Sequence, residues 1–388
     1  PVSEASESPL TGQYLTGART IPLPESRREA GPRWLTLSGA RAHNVRDVTV
    51  RIPVGTLTCV TGVSGSGKST LVHDILYRAL ETRLHGEHSA KQHLGELVGG
   101  YESLVGAEHF DAVVLIDQEP IGRSPRSNPV TYVKAWDEVR KLFADTPLAR
   151  QRGYTAGTFS FNVAGGRCET CEGAGHVEIE MVFMADVLVP CETCGGKRFK
   201  SDVLEVKVWG RNIADVLELT IDQAIRAFPG DEKLHAAFWQ LQQVGLGYLK
   251  LGQPATTLSG GEAQRIKIAR ELSESAKKGG RKLYIMDEPT TGLHLEDIAK
   301  LARVLDRLVE QGHTLVLIEH NLDVIKLADW VIDMGPEGGS GGGTLVAMGT
   351  PEAIMATPGS HTGHWLRTVL PADGVPPAAT PSRARARR

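Results

Sequence analysis

The chain has 388 residues, of which 41% are hydrophobic and 23% charged, and a formal net charge of −3. These are the values of a soluble globular protein with ample core and room for two or three domains. No apolar run reaches about 18 residues and no secretory signal is visible. No membrane span is therefore expected, a cytoplasmic location is, and any nucleic-acid contact has to be local.

Residues 1–33 are rich in Ser, Pro, Glu and Arg and read as a linker or fragment end. The chain starts with Pro, as a processed or excised chain would. From Trp34 the pattern is β: Val48, Val50 and Ile52 alternate with polar residues, as in a half-buried strand. Leu57 to Thr61 reads as a short buried strand. It leads into Gly62-Val63-Ser64-Gly65-Ser66-Gly67-Lys68-Ser69, and a helix follows with Leu71, Ile75, Leu76 and Ala79 on one face. This is G-x-x-x-x-G-K-[ST] between strand and helix, the context a phosphate-binding loop requires. Gly62, Gly65 and Gly67 let the backbone turn and approach a ligand. The amides of the loop and the helix start, from Ser64 and Ser66 to Thr70, favour phosphate. Lys68 is expected on the β- and γ-phosphates of ATP and the Ser69 hydroxyl on Mg²⁺.

Residues 85–110, His- and Gly-rich, predict a loop and a short helix. Val113 to Asp117 is a short buried strand, ending at Gln118. Residues 119–257 interrupt the pattern. A Ser-Gly-Gly turn at Ser259, Gly260 and Gly261 then opens a helix and makes a second anion-binding terminus. Leu283 to Met286 is a strand ending in Asp287, suited to the Mg²⁺ shell, and Glu288, suited to polarising an attacking water. An amphipathic helix over 295–311 and strands at Thr314 to Ile318 and Trp330 to Met334 follow. The βα alternation predicts an α/β fold with a largely parallel sheet. The predicted domains are an ATP-binding lobe in two parts, 34–118 and 258–370, around an inserted helical domain at 119–257. Residues 371–388 form an expected disordered basic tail.

The five cysteines are Cys59, in an apolar strand and read as core, and two C-x-x-C pairs. Cys168 and Cys171 are followed after nineteen residues by Cys191 and Cys194, which fits a four-thiolate Zn²⁺ site. Glycines after each pair permit tight turns, and Val177, Ile179 and Met181 alternate with polar residues as in a hairpin strand.

The phosphate loop, Gln118, the turn at 258–265, the strand at 283–288 and His320 occur in the order of the ABC-type ATPases, which this chain resembles over about 34–350. The resemblance makes Gln118 a sensor of Mg²⁺ and the attacking water, and His320 a γ-phosphate contact. It makes Ser259 to Gly261 a signature turn that completes another module's site. A four-cysteine module between Gln118 and that turn is similar to the UvrA family, the damage-recognition ATPases of bacterial nucleotide excision repair. Gly122 to Tyr132 (GRSPRSNPVTY), Phe159 to Val163 and Ile318 to Leu322 also match. The match is to the C-terminal one of the family's two ATPase halves. It implies double-stranded and damaged DNA as substrates and a UvrB-like partner whose recruiting domain is not in this chain. A homodimer or a missing N-terminal half would complete the sites. A shorter UvrA-like paralogue in damage tolerance or drug resistance fits this half as well, and a membrane transporter's ATPase subunit shares the nucleotide motifs.

Residues 119–167 hold eight Lys or Arg against four acids. Within them, Arg123, Arg126, Ser127, Asn128, Lys134 and Arg167 are the residues expected at DNA phosphates.

Overall fold

The structure, a computed structural model, describes residues 10–85, 99–179, 181 and 187–371. The expected tail at 372–388, residues 86–98 of the predicted loop and residues 1–9 lie outside the described residues. The chain divides into two compact units, one of Pro1–Asp117 with Ser275–Arg388, the other Gln118–Glu274.

The first unit is built on two sheets. Its strands are β1 (Trp34–Ala42), β2 (Val45–Pro53), β3 (Leu57–Gly62), β4 (Ser103–Val105), β5 (Ala112–Ile116), β6 (Lys282–Asp287), β7 (Thr314–Ile318), β8 (Trp330–Gly335) and β9 (Thr344–Gly349). A mixed sheet runs β9-β8-β3-β7-β6-β5, and only β9 is antiparallel to its neighbour. Buried on both faces, β3, β6 and β7 read as continuous apolar runs, as parallel strands do. A small antiparallel sheet, β2-β1-β4, carries the alternation seen at Val48, Val50 and Ile52. The helix Leu295–Glu310 buries Ile298, Leu301, Leu305 and Leu308, as its period demands.

Register decides what meets what. Asp287 pairs with Ile318, and Ile318 with Val60. The C-terminal ends of β6, β7 and β3 therefore lie side by side, which is where parallel α/β sheets bind ligands.

Residues 10–33, read as part of a linker or fragment end, are anchored to the first unit. Tyr14 donates to Glu296 at 2.8 Å, and Arg27, its side chain 7% exposed, bonds Glu352 and the Ala328 carbonyl. A polar composition hides such pairing, since the acids lie some 300 positions away in sequence.

In the second unit, short helices surround an aromatic core that includes Phe143, Phe159, Phe161, Phe199 and Phe238. This unit extends to Glu274, so the Ser-Gly-Gly turn and most of the helix Gly260–Lys278 belong to it. Among the described residues no helix is long and apolar enough to cross a membrane.

Candidate nucleotide site and cysteine cluster

The loop after β3 has the backbone its glycines permit. Gly62, Gly65 and Gly67 take φ of 132°, 74° and 95°, and a Cβ at Gly62 would collide with the Met334 carbonyl oxygen. The helix that follows is wider than predicted: Thr70–Tyr77 is π-helical and Arg78–His85 is α-helical, yet Leu71, Ile75, Leu76 and Ala79 are buried as expected. Lys68 is buried, and its ammonium donates to the carbonyls of Gly62 (3.0 Å) and Val63 (2.9 Å). Burial lowers its pKa, and the nearby Glu288, Asp287 and Asp333 oppose that. The Ser66 hydroxyl is buried without a hydrogen-bond partner among the described residues. Ser69 is exposed, and its side chain caps nothing.

A brace that the sequence did not reveal holds this loop. The glycine-rich run after β8 lies on it: Gly339 N–H donates to the Gly65 carbonyl (3.0 Å) and Gly343 N–H to the Ser66 carbonyl (3.2 Å). Asn44 ties both runs, donating to the carbonyls of Gly65 (2.8 Å) and Gly339 (3.3 Å). A Cβ at Gly338 would strike the Ser64 carbonyl oxygen, so only glycine allows this approach.

At the neighbouring strand ends, Asp287 faces His73 at 3.8 Å and Glu288 faces His320 at 3.5 Å. Burial raises the Asp287 pKa, and burial together with Lys68 lowers that of His320. Glu288 sits at a φ of 43°, a strained value for a non-glycine residue, and strain of this kind gathers at functional sites. The Thr291 hydroxyl donates to its carboxylate at 3.2 Å. Glu319 is the further residue the sequence reading passed over. Its buried carboxylate accepts from the Thr290 hydroxyl (2.8 Å) and from the N–H groups of Thr290, His320 and Asn321. It thus fixes the loops that carry Glu288 and His320 to each other.

In the second unit, Ser259 opens its helix with a capping box. The Ser259 N–H donates to Glu262 (2.7 Å), and the Glu262 N–H to the Ser259 hydroxyl (3.3 Å). Tyr248 donates to the same Glu262 carboxylate at 2.6 Å. Gly260 packs on Gln118, and a Cβ there would lie 3.0 Å from that of Gln118.

The four cysteines converge. All four Sγ atoms lie within 4.8 Å of one another, with Cys168 and Cys191 at 3.9 Å and Cys171 and Cys194 at 3.7 Å. Four sulfurs at about 2.3 Å from a tetrahedral Zn²⁺ stand about 3.8 Å apart, so the set fits that ion. Gly175 N–H donates to Cys171 Sγ at 3.3 Å. Burial pushes Cys194 up to about 12, whereas backbone N–H donation brings Cys191 down to about 7. Only a cation would hold all four as thiolates. The expected hairpin is present as His176–Ile179 paired antiparallel with Val187–Pro190. Cys59 is fully buried in β3, as read.

The residues expected at DNA phosphates are more committed than their charge suggests. Arg126 and Arg167 share Glu172 at 3.4 Å each, Lys134 lies 3.8 Å from Glu274, and Arg123 is exposed without an ion pair among the described residues. Asn128 is a correction. It is fully buried as the N-cap of Pro129–Tyr132, accepting from Thr131 N–H at 3.0 Å, and cannot meet a phosphate. Ser127 is half-buried, and its carbonyl accepts from Ala255 N–H at 2.7 Å. Asn128→Ala is expected to lower stability by about 1 kcal/mol and to leave the salt dependence of DNA binding unchanged, read by denaturant titration and by binding at several salt concentrations.

The chain matches the family model described as ABC transporter over residues 149–291, which include the Ser-Gly-Gly turn and β6. It is 57% identical over 95% of its length to the UvrABC system protein A of Methanothermobacter thermautotrophicus. Identity to the protein of that name from Thermus thermophilus is 57% over 94% of the chain. The chain belongs to the UvrA family. It spans about 37% of the length of these curated UvrA relatives. The solved structure of UvrA2 from Deinococcus radiodurans superposes with a TM-score of 0.84 at 47% identity, covering 95% of this chain and 44% of that one. Within the ABC class this sets aside a transporter subunit. The fold is the α/β ABC ATPase fold with a four-cysteine cluster, as the UvrA resemblance implied.

Proposed function

We propose that this chain is the C-terminal ATPase half of a UvrA-type damage sensor, binding and hydrolysing ATP to control its hold on DNA. The observation that carries the reading is the convergence at one sheet edge of the Gly62–Ser69 loop, Asp287, Glu288 and His320, in a chain that also carries a four-cysteine cluster. In the proposed site the amides of Gly62 to Thr70 receive the phosphates. Lys68 exchanges its two loop carbonyls for phosphate oxygens. Ser69 and Asp287 are the groups that would hold Mg²⁺, which supplies countercharge to the phosphate oxygens when bound. Glu288 polarises the attacking water, while His320, kept neutral by burial and Lys68, contacts the γ-phosphate. Gln118 reports on that site. Ser259, Gly260 and Gly261 complete the site of a second module, either another copy or an N-terminal half.

The cysteine cluster holds structural Zn²⁺, and the second unit engages duplex DNA through backbone contacts. The ion pairs of the half-buried Arg126 and Arg167 with the exposed Glu172 are long, at 3.4 Å, and weak enough to exchange for phosphate. Hand-off to a UvrB-like partner and a cytoplasmic location complete the reading. A UvrA-like paralogue is the second reading, favoured by the superposition on UvrA2.

The test is binding to a labelled duplex with and without a bulky adduct. Affinity is expected to fall at least about 10³-fold between about 50 and 200 mM salt if six or more phosphates are contacted. No duplex binding at low salt, or detergent-dependent membrane association, would contradict the proposal.

A further inference from the structure

In the second unit, strands Lys207–Val208 and Arg211–Asn212 are joined by a two-residue turn, Trp209 and Gly210, with φ of 47° and 78°. Such turns favour Asn or Asp at the first position, because positive φ costs a bulky residue on the order of 1–2 kcal/mol. An indole at this point serves no need of the turn. It is 51% exposed, yet it is held in place. Its ring meets Phe228 edge-on at 5.7 Å, and Phe228 is buried against Phe238.

Trp209 separates two grooves of opposite character. One, of about 520 Å³, is lined by Glu138, Asp231 and Glu232 with a single base, Lys233. The other, of about 440 Å³, is lined by Arg211, Leu219, Gln223, Arg226 and Pro229, and among the described residues no acid lines it. Neither arginine is in an ion pair among the described residues. Its volume is that of a small-molecule site, large enough for one nucleotide. We propose that this second groove binds single-stranded nucleic acid, one base stacking on Trp209 and the flanking phosphates resting on Arg211 and Arg226. A fixed aromatic platform beside two guanidiniums without an ion-pair partner among the described residues is the chemistry that single strands reward, since every base has a π-face and every linkage a charge. Gln223 uses its carbonyl oxygen to cap its own helix, accepting from Thr220 N–H at 3.0 Å, so its amide hydrogens remain for a base edge. An acidic peptide would use the arginines but leave the indole without a flat partner. The inference rests on the reading of this chain as a DNA-engaging protein.

The experiment is fluorescence anisotropy of the 388-residue chain with labelled oligothymidylate of about 15 nucleotides, alongside a labelled duplex. Trp209→Asn suits the turn and keeps the fold, which its unfolding midpoint would confirm. It is expected to weaken oligothymidylate binding by about 5- to 150-fold, with Trp209→Phe close to wild type. Arg211→Ala and Arg226→Ala should each reduce the salt slope by about 0.7. Equal binding of oligothymidylate by Trp209→Asn and wild type, with duplex binding intact, would overturn the site and leave the proposed function standing. Failure of wild type to bind either DNA would overturn both. Tighter, Trp209-dependent binding of an oligoglutamate peptide would assign the groove to an acidic partner and overturn the nucleic-acid assignment.

Discussion

Glu288→Gln is expected to slow ATP turnover by about 10²- to 10⁴-fold while leaving ATP affinity within a few-fold. The exchange keeps the shape of the side chain, and the Thr291 hydroxyl can still donate to the remaining carbonyl oxygen. Glutamine also tolerates the 43° φ no worse than glutamate. What goes is the negative charge 3.5 Å from His320, and with it the group proposed to polarise water. Because Lys68 and the loop amides are untouched, nucleotide binding survives. Single-turnover hydrolysis, with a fluorescent ATP titration beside it, separates the two. Normal turnover by this variant would remove Glu288 from the proposed mechanism.

Cys168→Ser or Cys194→Ser is expected to release about one Zn²⁺ per chain and to unfold the segment around the His176–Ile179 hairpin. The three buried cysteines, Cys168, Cys171 and Cys191, pack with one another and with the half-buried Cys194. A bound metal would therefore take the place of an apolar core here. Structural Zn²⁺ sites carry apparent binding free energies of about 10–16 kcal/mol, far more than so few side chains could supply by packing. Elemental analysis reads the metal, and limited proteolysis followed by peptide mapping reads the local unfolding. The second unit should become protease-sensitive around the four cysteines before the first unit does. A metal-free wild type with full protection would rule out the zinc assignment.

What the sequence disclosed follows from how local each signal is. The phosphate loop, the Ser-Gly-Gly turn and the C-x-x-C pairs are read from contiguous residues whose types serve the chemistry directly. Buried parallel strands such as Leu315 to Ile318 are legible because both faces must be apolar. Partners set by tertiary approach were not legible. The brace of Asn44 and Gly338 to Gly343 on the phosphate loop joins segments about 295 positions apart. His73 meets Asp287 only because the sheet brings the strand ends together. Glu319 reads as one more polar residue beside His320 until its burial and four donors are seen. A polar side chain misled at Asn128, and charge misled across 119–167. Capping buries the first, and ion pairs such as Lys141 with Glu138 and Arg150 with Asp145 occupy much of the second. Local excess charge says nothing of where its counterions sit.

The central claim is that Gly62–Ser69 of this chain works with a signature turn supplied by a second module. Mixing tests it. Lys68→Ala lacks the loop's countercharge, and Ser259→Arg places a bulky charge where Ser259 now caps its helix through Glu262. Each variant alone is expected to show no ATPase activity. An equimolar mixture can pair an intact loop from one copy with an intact turn from the other, and partial recovery of activity is the predicted result. Robust hydrolysis by a wild-type chain that stays strictly monomeric, or no recovery in mixtures shown to associate, would contradict it.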